Sequence, residues 1–210
     1  MKQHKSNIRE AKDKRRADLI RATLDCVIES GLQNVTVREV AARAGVTNGL
    51  IRHYFKGKDQ LIHEAYRTTM KAMTASVRSA VEAAGSDPTD RLYAFVVANQ
   101  NAPVLDARNL SLWASFISLT HIDPVMAEIH RETYLEFRRS VEPLVAAICA
   151  KEGRPISATQ CQRYAIQINA LIDGLWLEGC LAKDLFDEKE LAEISIRSVE
   201  DILGLPLTAR

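Results

Sequence analysis

Between Thr36 and Leu61 the chain reads TVREVAARAGVTNGLIRHYFKGKDQL, and within it Thr47, Asn48, Gly49, Arg52 and His53 form one small, polar face if the segment is helical. An asparagine amide can pair two hydrogen bonds with adenine and an arginine guanidinium can do so with guanine, which makes Asn48 and Arg52 candidate base readers. Contact with phosphate is the alternative for either residue, and it would carry no sequence information. Gly49 has no Cβ and lets backbone come close to a groove. A short helix with so little bulk can enter a major groove about 12 Å wide. Thr36 lies three residues before Glu39, the spacing of a capping box, so its hydroxyl serves as a helix cap or as a phosphate contact.

Other chemistry lacks its parts. His4, His53, His63, His121 and His130 are scattered, and no GxSxG, phosphate-binding loop or HExxH pattern is present. Cys26, Cys149, Cys161 and Cys180 form no CxxC pair and no cluster with His at metal spacing, so reduced, buried thiols are expected. Neither catalysis nor a cofactor nor a metal is expected. No apolar run reaches the roughly 18 residues of a membrane helix, and the basic start lacks a signal peptide's apolar stretch. A cytoplasmic protein with no membrane partner is the expectation.

The chain has 210 residues, 47% hydrophobic and 26% charged, which suits a folded globular protein. A net charge of +1 conceals an uneven distribution. Residues 1–60 hold 13 Lys and Arg against 7 Asp and Glu, while residues 61–210 hold 15 against 20. The basic end is the one suited to meeting phosphates.

Helices must position these residues. Residues 1–13 are polar and predict a flexible basic arm. From about Lys14, Leu19, Ile20, Leu24, Val27 and Ile28 recur at helical spacing up to Gly31. A second helix is predicted from about Val37 to Arg43, a turn at Gly45, and a third helix capped by Thr47 and ending at Tyr54. A long helical pattern then runs from Lys58 toward Gly85, and further starts are marked by Asp87-Pro88, Asp106, Asp123-Pro124, Ser157 and Asp187. No segment has the strict alternation of a strand.

The AxxAGV turn, the Tyr54-Phe55 pair and the spacing of Lys58 and Leu61, all in register, resemble the DNA-binding signature of the TetR family of transcriptional regulators. The resemblance implies an all-α fold of about nine helices. An N-terminal three-helix helix-turn-helix (residues 14–58) would precede a larger C-terminal domain for effector binding and dimerisation (59–210). It implies a homodimer on double-stranded, palindromic operator DNA, released by a small molecule, with a ligand-independent regulator or a sensor of another metabolite as alternatives. By the same resemblance, Arg38, His53, Tyr54 and Lys58 occupy positions that reach DNA, with Lys58 on a phosphate.

In the C-terminal part, LWASFISLTHIDPVMAEIH (residues 112–130) and ALIDGLWLEG (residues 170–179) resemble BetI-type repressors of choline metabolism. Both tryptophans, Trp113 and Trp176, fall in these segments, with Phe116 near the first and Asp173 near the second. Aromatic faces and a carboxylate suit a choline-like cation or zwitterion. Plain core packing is the alternative, and Ile117 stands where BetI-type proteins have a further aromatic. Asn99, Gln100 and Asn101 read as a helix end. Two stripes, Ala165-Ile168-Ile172-Leu175 and Leu191-Ile194-Ser198-Ile202, are available to core or to a partner subunit.

Overall fold

The computed structural model describes residues 2–187 and 189–207, and among them the elements are nine α-helices and two short 3-10 turns, with no strand. The first helix, α1 (Lys2–Ser30), stops at Gly31, whose φ of +77° is natural only for glycine. It begins well before Lys14, so the stretch expected as a flexible arm continues the helix. Residues 2–13 contain no Gly or Pro and are mostly strong helix formers, so a helix packed at its C-terminal end extends through them.

Thr36 closes a full capping box at the start of α2 (Val37–Arg43), accepting from Glu39 N at 3.2 Å while Glu39 Oε2 accepts from Thr36 N at 2.9 Å. Gly45, at φ +64°, makes the turn into α3 (Asn48–Tyr54). Thr47 stands at the N-cap of α3 with extended backbone, but its side chain makes no capping bond, contrary to the sequence expectation. After a turn at Gly57 comes α4 (Lys58–Ala83).

Remaining helices are α5 (Pro88–Asn99), α6 (Ala107–Ile117), α7 (Pro124–Lys151), α8 (Ala158–Leu181) and α9 (Glu190–Leu203). Their starts follow the sequence signals. Asp87 accepts from Thr89 N and Asp90 N ahead of α5, with Pro88 in the first turn. Ser157 accepts from Gln160 N ahead of α8, and Asp187 Oδ1 accepts from Lys189 N and Glu190 N ahead of α9.

The chain forms two compact units. One runs to Thr69 and includes Ser111–His130; the other comprises Met70–Leu110 and residues from Arg131 onward. This differs from a division at residue 58. In the first unit Leu61, Ala65 and Tyr66 of α4 and Leu112 and Phe116 of α6 are buried as well as Leu19, Val40 and Ile51. The Tyr66 and Phe116 rings lie 4.9 Å apart.

In the second unit α5, α8 and α9 pack on one another. The first sequence stripe turns inward: Ala165, Ile168 and Ile172 are buried. Exposed instead on α8 are Ile166, Ala170, Gly174 and Leu181, while on α9 Ile194 is exposed and Ser198 and Ile202 half-buried. Gly179 of α8 is buried where an added Cβ would lie 2.4 Å from Leu191 Cδ1, so the absence of a side chain permits close approach to α9. Cys26, Cys149 and Cys161 are buried and Cys180 half-buried, all as free thiols. No helix among the described residues is long and apolar enough to cross a membrane.

Candidate DNA-reading surface and effector site

The third helix is anchored from beneath. Ile51 and Phe55 are almost fully buried, and Arg16 of α1 lies with its guanidinium 5.3 Å from the Phe55 ring centre while donating to Glu64 at 2.5 Å. With those two apolar residues held inward, helical geometry turns the remaining positions out. Thr47, Asn48, Gly49, Arg52 and His53 are all exposed. Tyr54 is half-buried, its ring edge-on to His53 at 5.4 Å. The outward face therefore offers an amide, a guanidinium and an imidazole beside a residue without a side chain.

Around it lie the other candidates. Arg38 is exposed on the first turn of α2. Thr36 is exposed, yet its hydroxyl already donates to Glu39 Oε2 at 2.9 Å, so a phosphate would have to compete with the capping carboxylate. Lys58 opens α4, half-buried, with Nζ 3.4 Å from the Gln33 carbonyl oxygen. Positive charge beside the free backbone N–H groups of a helix start is a phosphate-binding arrangement. An Arg43–Glu29 ion pair ties α2 to α1 on the same unit.

The four candidate ligand residues divide between the units. Trp113 (half-buried) and Phe116 (fully buried) belong to the first, where Tyr66 packs on Phe116 and its hydroxyl is 2.6 Å from His130 Nδ1. Burial lowers the His130 pKa, which favours the neutral ring. Asp173 and Trp176 belong to the second. The Trp176 indole is buried and donates to the Val104 carbonyl at 3.1 Å.

Asp173 is half-buried among neutral partners. Asn169 Nδ2 donates to its Oδ2 at 2.8 Å and also to Tyr134 Oη at 2.8 Å, and Tyr134 Oη donates to Asp173 Oδ2 across 3.4 Å. Desolvation pushes the Asp173 carboxyl up, against the lowering effect of these hydrogen bonds. Tyr134 and Asn169 were not singled out in the sequence. An Asn and an Asp four apart in the otherwise apolar run INALIDGLWL were the available signal. The helix-end reading fits Asn99 and Asn101, which donate to the carbonyls of Phe95 and Val97, but Gln100 reaches α8 and donates to Ile172 O at 3.4 Å.

An opening of about 460 Å³ in the same unit lies between α4, α5 and α7. Val77, Val81, Phe95 and Leu144 make its apolar wall, and Arg78, Glu82, Arg91 and Glu136 line it as well.

Comparison with known proteins agrees with both halves. Residues 19–65 match the family model described as "Bacterial regulatory proteins, tetR family", and residues 88–204 match that of the "BetI-type transcriptional repressor, C-terminal". The HTH-type transcriptional regulator BetI of Burkholderia lata is 33% identical over 190 residues, spanning 90% of this chain and 94% of that protein. A transcriptional regulator from Pseudomonas aeruginosa superimposes with a TM-score of 0.83 at 31% identity, covering 92% of each chain. A regulator from Saccharomonospora viridis, solved in complex with choline, shares the fold with a TM-score of 0.73 at 18% identity, covering 90% of this chain and 96% of that one.

Proposed function

Since this chain belongs to the TetR family of bacterial regulatory proteins and is a BetI-type transcriptional regulator, we propose that it holds a palindromic operator as a homodimer and releases it when a small cation or zwitterion binds. One observation carries the DNA-binding part: α3 keeps Ile51 buried while Asn48, Gly49, Arg52 and His53 all face solvent on one side. In this reading Asn48 and Arg52 contact base edges, Gly49 admits the backbone, and Thr36, Arg38, Thr47, His53, Tyr54 and Lys58 hold phosphates.

Dimerisation is assigned to the outward faces of α8 and α9, where Ile166, Leu181 and Ile194 are exposed and Ala170 and Gly174 let a second helix approach closely. Two copies of α3 then meet two half-sites in the same orientation.

The effector is assigned to Asp173 and Trp176. A partly buried carboxylate that no Lys, Arg or His of the described residues pairs with favours a positive ligand group, and an aromatic face adds about 0.5 to 2 kcal/mol for a cation. The choline held by the Saccharomonospora regulator is consistent with such chemistry. Because α4 belongs to both units, a tilt of its second half can displace the reading head attached to its first. The opening walled by Phe95 and Leu144 supports a second reading in which an apolar effector binds there.

Operator fragments mixed with the protein, with and without saturating cation, test the reading in a gel-shift or polarisation assay. Cation-dependent loss of binding that Asp173→Asn abolishes supports it. Loss of binding that Asp173→Asn leaves intact and Phe95→Ala removes favours the second site.

A further inference from the structure

Hydrogen-bond accounting around Asp173 narrows the chemistry of the ligand, resting on the assignment of the effector to that residue. Asn169 is only 2% exposed, and its amide nitrogen supplies both of its bonds, to Asp173 and to Tyr134. Its oxygen, Oδ1, is buried and has no partner. At the C-terminal cap of α5, Gln100 is 1% exposed, donates through Nε2 to the carbonyl of Ile172, the residue before Asp173, and leaves its own oxygen Oε1 without a partner. Buried acceptors are nearly always paired, so an unpartnered oxygen on α8 and another on the α5 residue bonded to it are conspicuous. The cluster lacks two things at once, positive charge for the carboxylate and hydrogens for the amide oxygen.

We propose that Asp173 and the unpartnered oxygen of Asn169 form the docking point for a protonated primary or secondary amine, in preference to a quaternary ammonium group. A protonated amine carries charge and N–H donors together. It can give one hydrogen to a carboxylate oxygen and another to Asn169 Oδ1. A quaternary nitrogen has no hydrogen to give, so it would neutralise the carboxylate and leave Asn169 Oδ1 buried and unpaired. Water would satisfy the amide oxygen but not the charge. Trp176, fixed by its bond to Val104, lies one turn along α8 and can face the carbon chain of either ligand, so it does not discriminate.

A matched pair of ligands separates the two chemistries: 2-aminoethanol and choline differ only in the three methyl groups on nitrogen. Isothermal titration of the full-length chain with each is expected to give an affinity at least tenfold higher for 2-aminoethanol. Asp173→Asn should remove both, and Asn169→Leu should bring 2-aminoethanol down to the level of choline. Equal or tighter binding of choline that still depends on Asp173 overturns the amine preference and leaves the effector assignment standing. If neither cation binds, or both bind Asp173→Asn as they bind the native chain, the assignment to Asp173 fails and the inference with it. Should circular dichroism show that Asn169→Leu does not fold, the preference measured on the native chain decides alone.

Discussion

Lys58 and Arg52 lie only six residues apart, yet the roles assigned to them separate in measurement. Lys58 at the start of α4 carries charge toward phosphate, so Lys58→Ala should weaken specific and random DNA alike and lower the slope of log affinity against log salt by about one unit. A changed operator preference at unchanged slope would remove Lys58 from the phosphate class. Arg52→Ala should instead cost roughly 1 to 3 kcal/mol at a single base pair, read by competition among operators mutated one position at a time. Uniform loss across all of them would mean that Arg52 touches only backbone. At this scale the outward set Thr47, Asn48, Gly49, Arg52 and His53 was legible in the sequence, because helical period and a few apolar anchors decide what faces out. The Asp173 neighbourhood was legible only in half. Asn169 and Asp173 share a helix face four residues apart, but Tyr134 comes from α7, and no local pattern announces a partner 39 residues away.

Helix starts were the most legible elements, since a cap is chemistry between near neighbours. Asp87 shows how such a signal acquires tertiary weight. Besides capping α5, its carboxylate accepts from Lys151 Nζ at 2.6 Å, and that bond with the backbone N–H groups holds its pKa down to about 2. A depressed carboxylate stabilises the fold above its unfolded pKa, about 3.9, and ceases to do so as pH falls through the folded value. Asp87→Ala should therefore lower the melting temperature at pH 7, with the deficit shrinking below pH 4. A deficit as large at pH 3 as at pH 7 would show that the charge is not responsible. Where α1 begins and which stripe of α8 faces inward were not legible. A run of good helix formers does not announce its own end, and periodicity reveals a face without saying what covers it. Ala165, Ile168 and Ile172 prove to be core, and the opposite side of α8 is the one the proposed dimer uses. Close packing at Gly179 gives a further check: Gly179→Ala should destabilise by up to about 1 kcal/mol in chemical unfolding, because the ends of the Leu191 and Leu105 side chains must move aside while the helix gains about 1 kcal/mol in propensity.

For the whole molecule, the concentration of positive charge in residues 1–60 and of negative charge beyond them would, in the proposed complex, turn the first segment toward phosphates and keep the rest away. In the proposed dimer, affinity for an operator depends on two such segments acting together. Gly174→Glu places a charge on the exposed side of α8 without filling any interior space, since nothing lies within 4 Å of a Cβ added there. It should yield a monomer of unchanged helicity, by ultracentrifugation and circular dichroism, that has lost tight operator binding. A dimer with full affinity would move the interface elsewhere. The four free thiols bear on how the spacing of the two heads can be followed. Burial pushes each of them up in pKa, which leaves little reactive thiolate at neutral pH. A single cysteine engineered at exposed Asn34 can thus be spin-labelled or dye-labelled selectively in the otherwise native chain. Pulsed electron resonance or energy transfer between the two labels of a dimer would then report its separation directly, before and after ligand.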